Sequence, residues 1–540
     1  MESPDVESMA GNTLTMTLPA NDSALVEGAV SEKAARMLKF LRWYARERIN
    51  SRLMDERRSL PLALVSDFAA AGLLGLQVPE RYQGQELSHV DTVRVITQLG
   101  AIDVNPCILT VVHNTLGIPP VRHFASESIK EEVLPLLAQG KSLITSAISE
   151  PGMGSHLRAL ATRATKNPDG SYSINGTKKW ISLGADARYV NVFAQLYDGK
   201  GQASGITGFL VETDSPGFEI GPEMLTLGLK AIPQNDLRFN DLRVPPSALL
   251  GAEGEGLRAA KSAFMAGRVM LAAAARGAAM RSLEIACRFA MERKVATGRL
   301  AENGRIRQKL ADGAAAIQAV QTLVRNIAER LDAGDVVPDA LYFCAKILGC
   351  ELMWRVIDTS VQVLAARGYL DTNVVGQHFR DYRLFRIFEG STEAVTVYLG
   401  STILRAPHEF FGMLDEQLDA SRHVRELAAA VAELATTTTD RDEANRHILA
   451  NVVGDLACWT MIAATTNAVA HRSAMHAYAA SWCEQKLRDR LHTARHDLLC
   501  DLPSVAEMTD HIAGYADVIG DIEQHRPSEA YGLDPLLRRG

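Results

Sequence analysis

The sequence is poor in the features that mark secreted, membrane-spanning or nucleic-acid-binding chains. Its seven cysteines (Cys107, Cys287, Cys344, Cys350, Cys458, Cys483, Cys500) are scattered, odd in number and never in CxxC spacing. That argues against a disulfide framework and fits reduced thiols in a cytoplasmic protein. Basic residues are in deficit, 57 Lys and Arg against 64 Asp and Glu, so there is no electrostatic footprint for nucleic acid or an anionic membrane. No apolar run reaches bilayer length, because LAAAARGAAM is broken by Arg276 and is alanine-rich; no transmembrane segment is expected. The first thirty residues lack a basic stretch followed by an apolar one and read as a loose leader, not a signal peptide. Short catalytic signatures are missing as well. GMGSH is not a G-x-S-x-G elbow, and GAEGEG has the wrong spacing for a phosphate cradle. His492 and His496 stand four apart with no obvious third ligand, so no metal is expected.

What is present is a 540-residue chain, 47% hydrophobic, long enough for several cores. Residues 31–141 carry apolar positions at three- and four-residue steps, as in EKAARMLKFLRWYARERIN, and predict helices. Residues 142–255 break into short β-branched and aromatic runs separated by Pro-Gly, Asp-Gly and Asn-Gly turn signals, and predict a small β domain. Residues 256–405 return to long alanine- and leucine-rich helices, and 406–540 predict a further helical extension. The strand–helix alternation of a doubly wound nucleotide fold is absent.

Three segments suggest chemistry, and each also has an ordinary reading. In ISEPGMGS, Pro151, Gly152 and Gly154 let backbone approach a ligand, with Ser149 and Ser155 offering hydroxyls; the ordinary reading is a Pro-Gly turn. In NGTKKWIS, Asn175-Gly176 signals a type I′ hairpin, and Trp180 with Ser182 suits a flat heteroaromatic ring; a core tryptophan near a serine reads as well. In RLFRIFEGSTEAV, Glu389 follows Ile387 and Phe388 and precedes Gly390. A carboxylate in an apolar pocket is a credible base for a weakly acidic C–H, whereas exposed helix acids would give the same spacing with Glu393.

Taken jointly and in order, GLLGLQVPERYQG, HNTLG, ISEPGMGS, NGTKKWIS, TGFLVE, FNDLRVPPSALLG, GEGL and RDYRLFRIFEGSTEAV resemble the acyl-CoA dehydrogenase family over roughly residues 31–405. With its helical tail the chain is most similar to the very-long-chain branch, whose members are often homodimers. The resemblance implies N-terminal helices, a central β-barrel-like domain and a C-terminal four-helix bundle, with FAD between the last two. Glu389 matches the base that takes the α-proton of an acyl thioester as hydride leaves Cβ for flavin N5. Ile148, Ser149 and Ser155 match the flavin and thioester loop, and Trp180 and Ser182 flank the flavin ring. Arg268, Phe388 and Gly390, with Ser155, match the substrate side. Arg293 and Gln362 match FAD contacts across a subunit interface, Gly368 is a further cofactor-binding candidate, and Ser391 lies by the adenosine portion.

The implied partners are an acyl-CoA or acyl-carrier-protein thioester, an electron-transfer flavoprotein as acceptor, and a second copy in a homodimer or homotetramer. The chain departs from the family pattern in three places: VATG follows Glu292-Arg293-Lys294, Ala365 and Ala366 replace paired glycines, and His156 replaces an aspartate. These departures add two alternatives: oxidation of a carrier-tethered acyl or aminoacyl group, or a degenerate member acting as an assembly protein.

Overall fold

A computed structural model describes residues 29–154, 156–198, 200–437, 443–499 and 502–520. The leader expected over the first residues and the candidate Ser155 fall outside them. The N-terminal unit is helical for the reasons its pattern gives. Helix Glu32–Glu47 is capped by Ser31, whose side chain accepts from the Ala34 N–H, and it buries Ala34, Met37, Leu41 and Tyr44 along one stripe. Helix His89–Ile102 is capped in the same way by Ser88. Helix Val104–Val111 runs into a wider π turn, Val112–Gly117, before helix Ile118–Phe124 continues.

The middle unit is one sheet of eight strands: β1 Ile144–Ala147, β2 Arg163–Lys166, β3 Tyr172–Ser182, β4 Tyr189–Tyr197, β5 Ala203–Glu212, β6 Phe218–Glu223, β7 Gln234–Val244 and β8 Leu249–Leu250. Pairing runs β6-β7-β3-β2-β4-β5-β8, with β1 parallel to β4. Among the described residues no pairing joins β6 to β8, so the barrel-like sheet has a seam. Asn175-Gly176 is not the hairpin turn that its sequence signals. It lies inside β3 at a register shift against β7, where a Cβ on Gly176 would fall 2.7 Å from Thr162 Oγ1. Asn175 is held there by exchange with Asp241, accepting from its N–H at 2.8 Å and donating to its carboxylate at 2.9 Å. A bulge uses the same glycine freedom as a turn.

Alanine richness in the bundle has a packing cause. The long helix Gly256–Glu292 crosses helix His89–Ile102 so closely that a Cβ on Gly100 would strike the Ala274 carbonyl, and one on Gly277 the Thr97 carbonyl. Helices Gly304–Asp332 and Cys350–Leu364 pack on its other sides. The extension repeats the device. Its helix Glu443–Ala468 lies against helix Thr392–Arg405, with Gly400 facing the Ala450 carbonyl and Gly454 facing the Thr396 carbonyl. The expectation that no segment is apolar enough to span a bilayer needs correction, because Glu443–Arg472 qualifies by length and composition. However, 83% of its most apolar window is buried inside the fold.

Buried acids tie the units together. Asp381 Oδ1 accepts from the Leu229 N–H at 2.8 Å, and Asp55 pairs with Lys230 at 2.9 Å and Arg380 at 3.1 Å. Burial, reinforced by the Asp103 carboxylate, pushes Asp381 up to about 8. An unfolded aspartate ionises near pH 4, so the folded state holds an extra proton between about pH 4 and 8 and loses stability as pH rises across that window. Asp381→Asn keeps the acceptor and should flatten the fall in melting temperature between pH 5 and 8, gaining on the order of a few kcal/mol at pH 8. Gly454→Val should lower stability by about 1–3 kcal/mol through overpacking, read as a drop in the calorimetric midpoint.

Candidate active site

The segment RLFRIFEGSTEAV joins two helices by a turn that few residue types make. Helix Val374–Tyr382 tightens into a 3-10 turn over Arg383–Arg386. The chain then reverses through two left-handed residues, Glu389 (φ 57°) and Gly390 (φ 91°). Ser391 caps the following helix, accepting from the Ala394 N–H at 3.3 Å. The left-handed region costs a glutamate about 1 kcal/mol, and a Cβ on Gly390 would sit 2.6 Å from Val395 Cγ2. Aromatic packing holds the turn. Phe388 meets Phe385 at 5.2 Å between ring centres, Phe385 meets Tyr382 at 4.6 Å, and the Tyr382 hydroxyl donates to the Gly100 carbonyl at 2.9 Å. Arg386 donates to the buried Glu351 carboxylate at 2.5 Å.

The turn aims the Glu389 carboxylate inward. The residue is half-buried as a whole, but its Oε2 is closed to solvent and has no hydrogen-bond partner among the described residues. Burial pushes its pKa up, and the nearby cations Arg268 and Lys346 act in the opposite direction. Arg268 comes from the long helix, with its guanidinium 4.8 Å from the Phe343 ring centre and its buried Nε unpartnered. Among the described residues, neither the Glu389 nor the Gly390 N–H donates a hydrogen bond. Glu393 is exposed on the first turn of the next helix.

A second constellation lies on the β unit. The loop after β1 is anchored by Glu150, which is buried, pairs with buried Lys178 at 2.8 Å and accepts from the Thr162 N–H at 3.0 Å. Lys178 also donates to the Ile148 carbonyl at 3.1 Å, and the Lys179 N–H donates to the Ser149 carbonyl at 2.8 Å. Burial pulls Lys178 down to about 8, against the pull of the Glu150 carboxylate; the Lys178 ammonium in turn holds Glu150 low, against its own burial. Above this anchor the loop is open, since a Cβ on Gly152 or Gly154 would meet nothing within 4 Å. Trp180 adopts φ 57° at a second register shift of β3, which leaves its indole 47% exposed. Ser182 donates to Gln234 at 3.0 Å, and the Ser182 carbonyl accepts from Thr145 at 2.8 Å.

Family models match three consecutive pieces of the chain: the acyl-CoA dehydrogenase N-terminal domain over residues 31–141, the middle domain over 145–242 and the C-terminal domain over 254–403. The chain belongs to the acyl-CoA dehydrogenase family. An acyl-CoA dehydrogenase of Bacillus subtilis is 31% identical over 378 residues, covering 69% of this chain and 99% of that one. A glutaryl-CoA dehydrogenase from Mycobacterium smegmatis, solved in complex with FADH2, superposes with a TM-score of 0.64 at 26% identity over 69% of this chain and 95% of that one. An acyl-CoA dehydrogenase from Bacillus anthracis complexed with FAD covers 90% of this chain and 91% of its own, with a TM-score of 0.77. At 22% identity that likeness speaks for the fold alone, but its coverage extends into the C-terminal helices.

Acyl-CoA dehydrogenases are FAD-dependent oxidoreductases acting on CH–CH groups, and this chain is one of them. The residues present fit the cofactor, because the open glycine loop, the exposed indole and the Ser182 hydroxyl stand together beside β3. Arg293 and Gln362 do not join them. Both are exposed, and Arg293 caps the C-terminal end of the long helix, roughly 35 Å along it from Arg268 at 1.5 Å per residue. Gly368 lies near Gln362, with no room for a side chain against the Val361 carbonyl.

Sequence reasoning missed Lys346 and the Glu150–Lys178 pair. A lysine inside YFCAKILGC reads as an interruption of an apolar face, which was the available signal. The Ala365 substitution has a visible cost. Its backbone keeps a glycine-like conformation, φ 54° and ψ −136°, although it carries a methyl group. Ala365→Gly should therefore stabilise the protein, by about 1 kcal/mol once the gain in unfolded-chain entropy is set against relief of strain, as measured by denaturant midpoint.

Proposed function

We propose that the protein dehydrogenates an acyl-CoA thioester between Cα and Cβ, giving the trans-2-enoyl thioester, with Glu389 as the base that removes the α-proton. The observation that carries this reading is the Glu389 Oε2, buried without a partner at the tip of a left-handed turn. A paired carboxylate would be a poor base, and a solvated one would have too low a pKa for a carbon acid. Burial raises it, and Arg268 keeps the ionised form accessible. The free Glu389 N–H is suited to the thioester carbonyl, where it would stabilise the charge that develops as the proton leaves. Gly390, lacking a side chain, leaves room for that carbonyl, and Phe388 supplies an apolar wall. When bound, the flavin supplies the hydride acceptor. On this reading Ile148, Ser149, Trp180 and Ser182 seat the flavin ring, and Ser391 lies toward the adenosine.

The length of helix between Arg268 and Arg293, together with the exposure of Arg293 and Gln362, supports a homodimer in which those two residues reach the cofactor of a second copy. Buried thiols and the charge balance fit a cytoplasmic enzyme.

Glu389→Gln tests the assignment. The variant should bind FAD normally and lose substrate-dependent flavin bleaching by at least about a thousandfold. Normal bleaching in an anaerobic thioester titration would remove Glu389 from the chemistry. Because its pKa is raised, the carboxylate is progressively protonated as pH falls, so the wild-type rate should decline on the acid side.

A further inference from the structure

Lys346 stands in the only charged position of the π turn Ala345–Gly349, which interrupts the helical run between Asp339–Cys344 and Cys350–Leu364. Its side chain is fully buried, and no carboxylate lies within ion-pair distance of it among the described residues. Instead its ammonium donates to the Phe385 carbonyl and stands 5.8 Å from the centre of the Phe388 ring. Those two residues bracket the approach to Glu389. An unpaired buried ammonium costs a fold dearly, and a methionine would fill the same volume without that cost. π turns tend to occur where a helix gives up regularity to present a group at a site.

The charged and titratable groups around Lys346 come from three elements. Arg268 belongs to the long helix, Glu389 to the left-handed turn, and Cys350 and Glu351 to the helix that follows the π turn. Glu351 is already bound to Arg386, and burial keeps the Cys350 thiol protonated. Glu389 is therefore the nearby carboxylate without a partner.

We propose that Lys346 is a positioning residue for the base: it clamps the Phe385–Phe388 turn through the Phe385 carbonyl and supplies, with Arg268, the buried positive charge that keeps Glu389 ionised at working pH. The proposal rests on Glu389 being the base. Two variants separate its parts, because Lys346→Gln keeps a donor without charge whereas Lys346→Met keeps neither.

The experiment follows the rate of flavin bleaching by an acyl-CoA panel from pH 6 to 9 in the FAD-loaded protein, with flavin content and melting temperature recorded alongside. Lys346→Gln should move the acid limb of the profile upward by about one unit, roughly a tenfold loss at pH 6.5 that is largely recovered by pH 9. Lys346→Met should add a loss that is equal at all pH values, and Lys346→Arg should restore the position of the limb. An unmoved limb in both Lys346→Gln and Lys346→Met, with flavin still bound, would overturn the proposal. If Lys346→Met fails to fold, the Gln and Arg pair still decides, since they differ in charge. Bleaching by Glu389→Gln at the wild-type rate would instead overturn the reading of the base and leave the limb to another group.

Discussion

The structure is organised around a carboxylate that it leaves without a hydrogen-bond partner. Glu389 takes up a left-handed backbone, worth about 1 kcal/mol of strain for a residue with a Cβ. Its Oε2 is buried and unsatisfied, a cost of about 1–3 kcal/mol or more for a charged group. Neither cost is met locally, because the turn is short and, among the described residues, the Glu389 and Gly390 N–H groups donate no hydrogen bond. The compensation lies around it. A ladder of three aromatic rings ends in a hydrogen bond to Gly100, Arg386 grips Glu351, and Lys346 holds the Phe385 carbonyl. These links tie the turn to two helical runs, His89–Ile102 through Gly100 and Asp339–Leu364 through Lys346 and Glu351, so the strain is shared beyond the turn itself.

The β unit solves the matching problem in the same manner. Trp180 is likewise held at positive φ, and its exposed indole presents a flat apolar surface. Beneath it, the buried Glu150–Lys178 pair fixes the loop that carries Gly152 and Gly154. A buried ion pair is a weak source of net stability but a strong determinant of geometry, since breaking either half strands the other charge. Both faces of the site thus consist of a strained residue at the rim and a satisfied or clamped charge underneath.

Much of this was legible in the sequence, for identifiable reasons. Helical periodicity and turn residues located the three units, whereas the local pattern left Glu389 and Glu393 open and only the family resemblance singled out Glu389 as the candidate base. The hidden parts are those in which tertiary contact overrides a local signal. Asn175-Gly176 has hairpin chemistry, but Thr162 and Asp241 hold it inside a strand. The lysines of NGTKKW look like solvated charges, although Lys178 is buried against an acid twenty-eight positions away. Lys346 differs from a surface lysine only through a π turn, and such turns leave no simple periodic trace. Glu443–Arg472 has the composition of a membrane span because a helix enclosed by protein and one enclosed by lipid need similar side chains.

That last helix bears on why the catalytic unit carries an extension. The helix after the proposed base, Thr392–Arg405, begins one residue beyond Gly390-Ser391, so any shift in it moves the left-handed turn. Its far side is covered by Glu443–Ala468 at two positions, where glycines allow backbone to meet backbone with almost no side-chain cushion. Contact of that kind is stiff: it has no rotamers to adjust, and each helix fixes the axial position of the other. The same extension helix is braced from behind by Ala474–Leu499 and from the side by Gly304–Asp332. A continuous line of rigid elements therefore runs from the outer helices to the residue that caps the turn. The extension therefore buttresses the helix whose N-terminus carries the Glu389 turn.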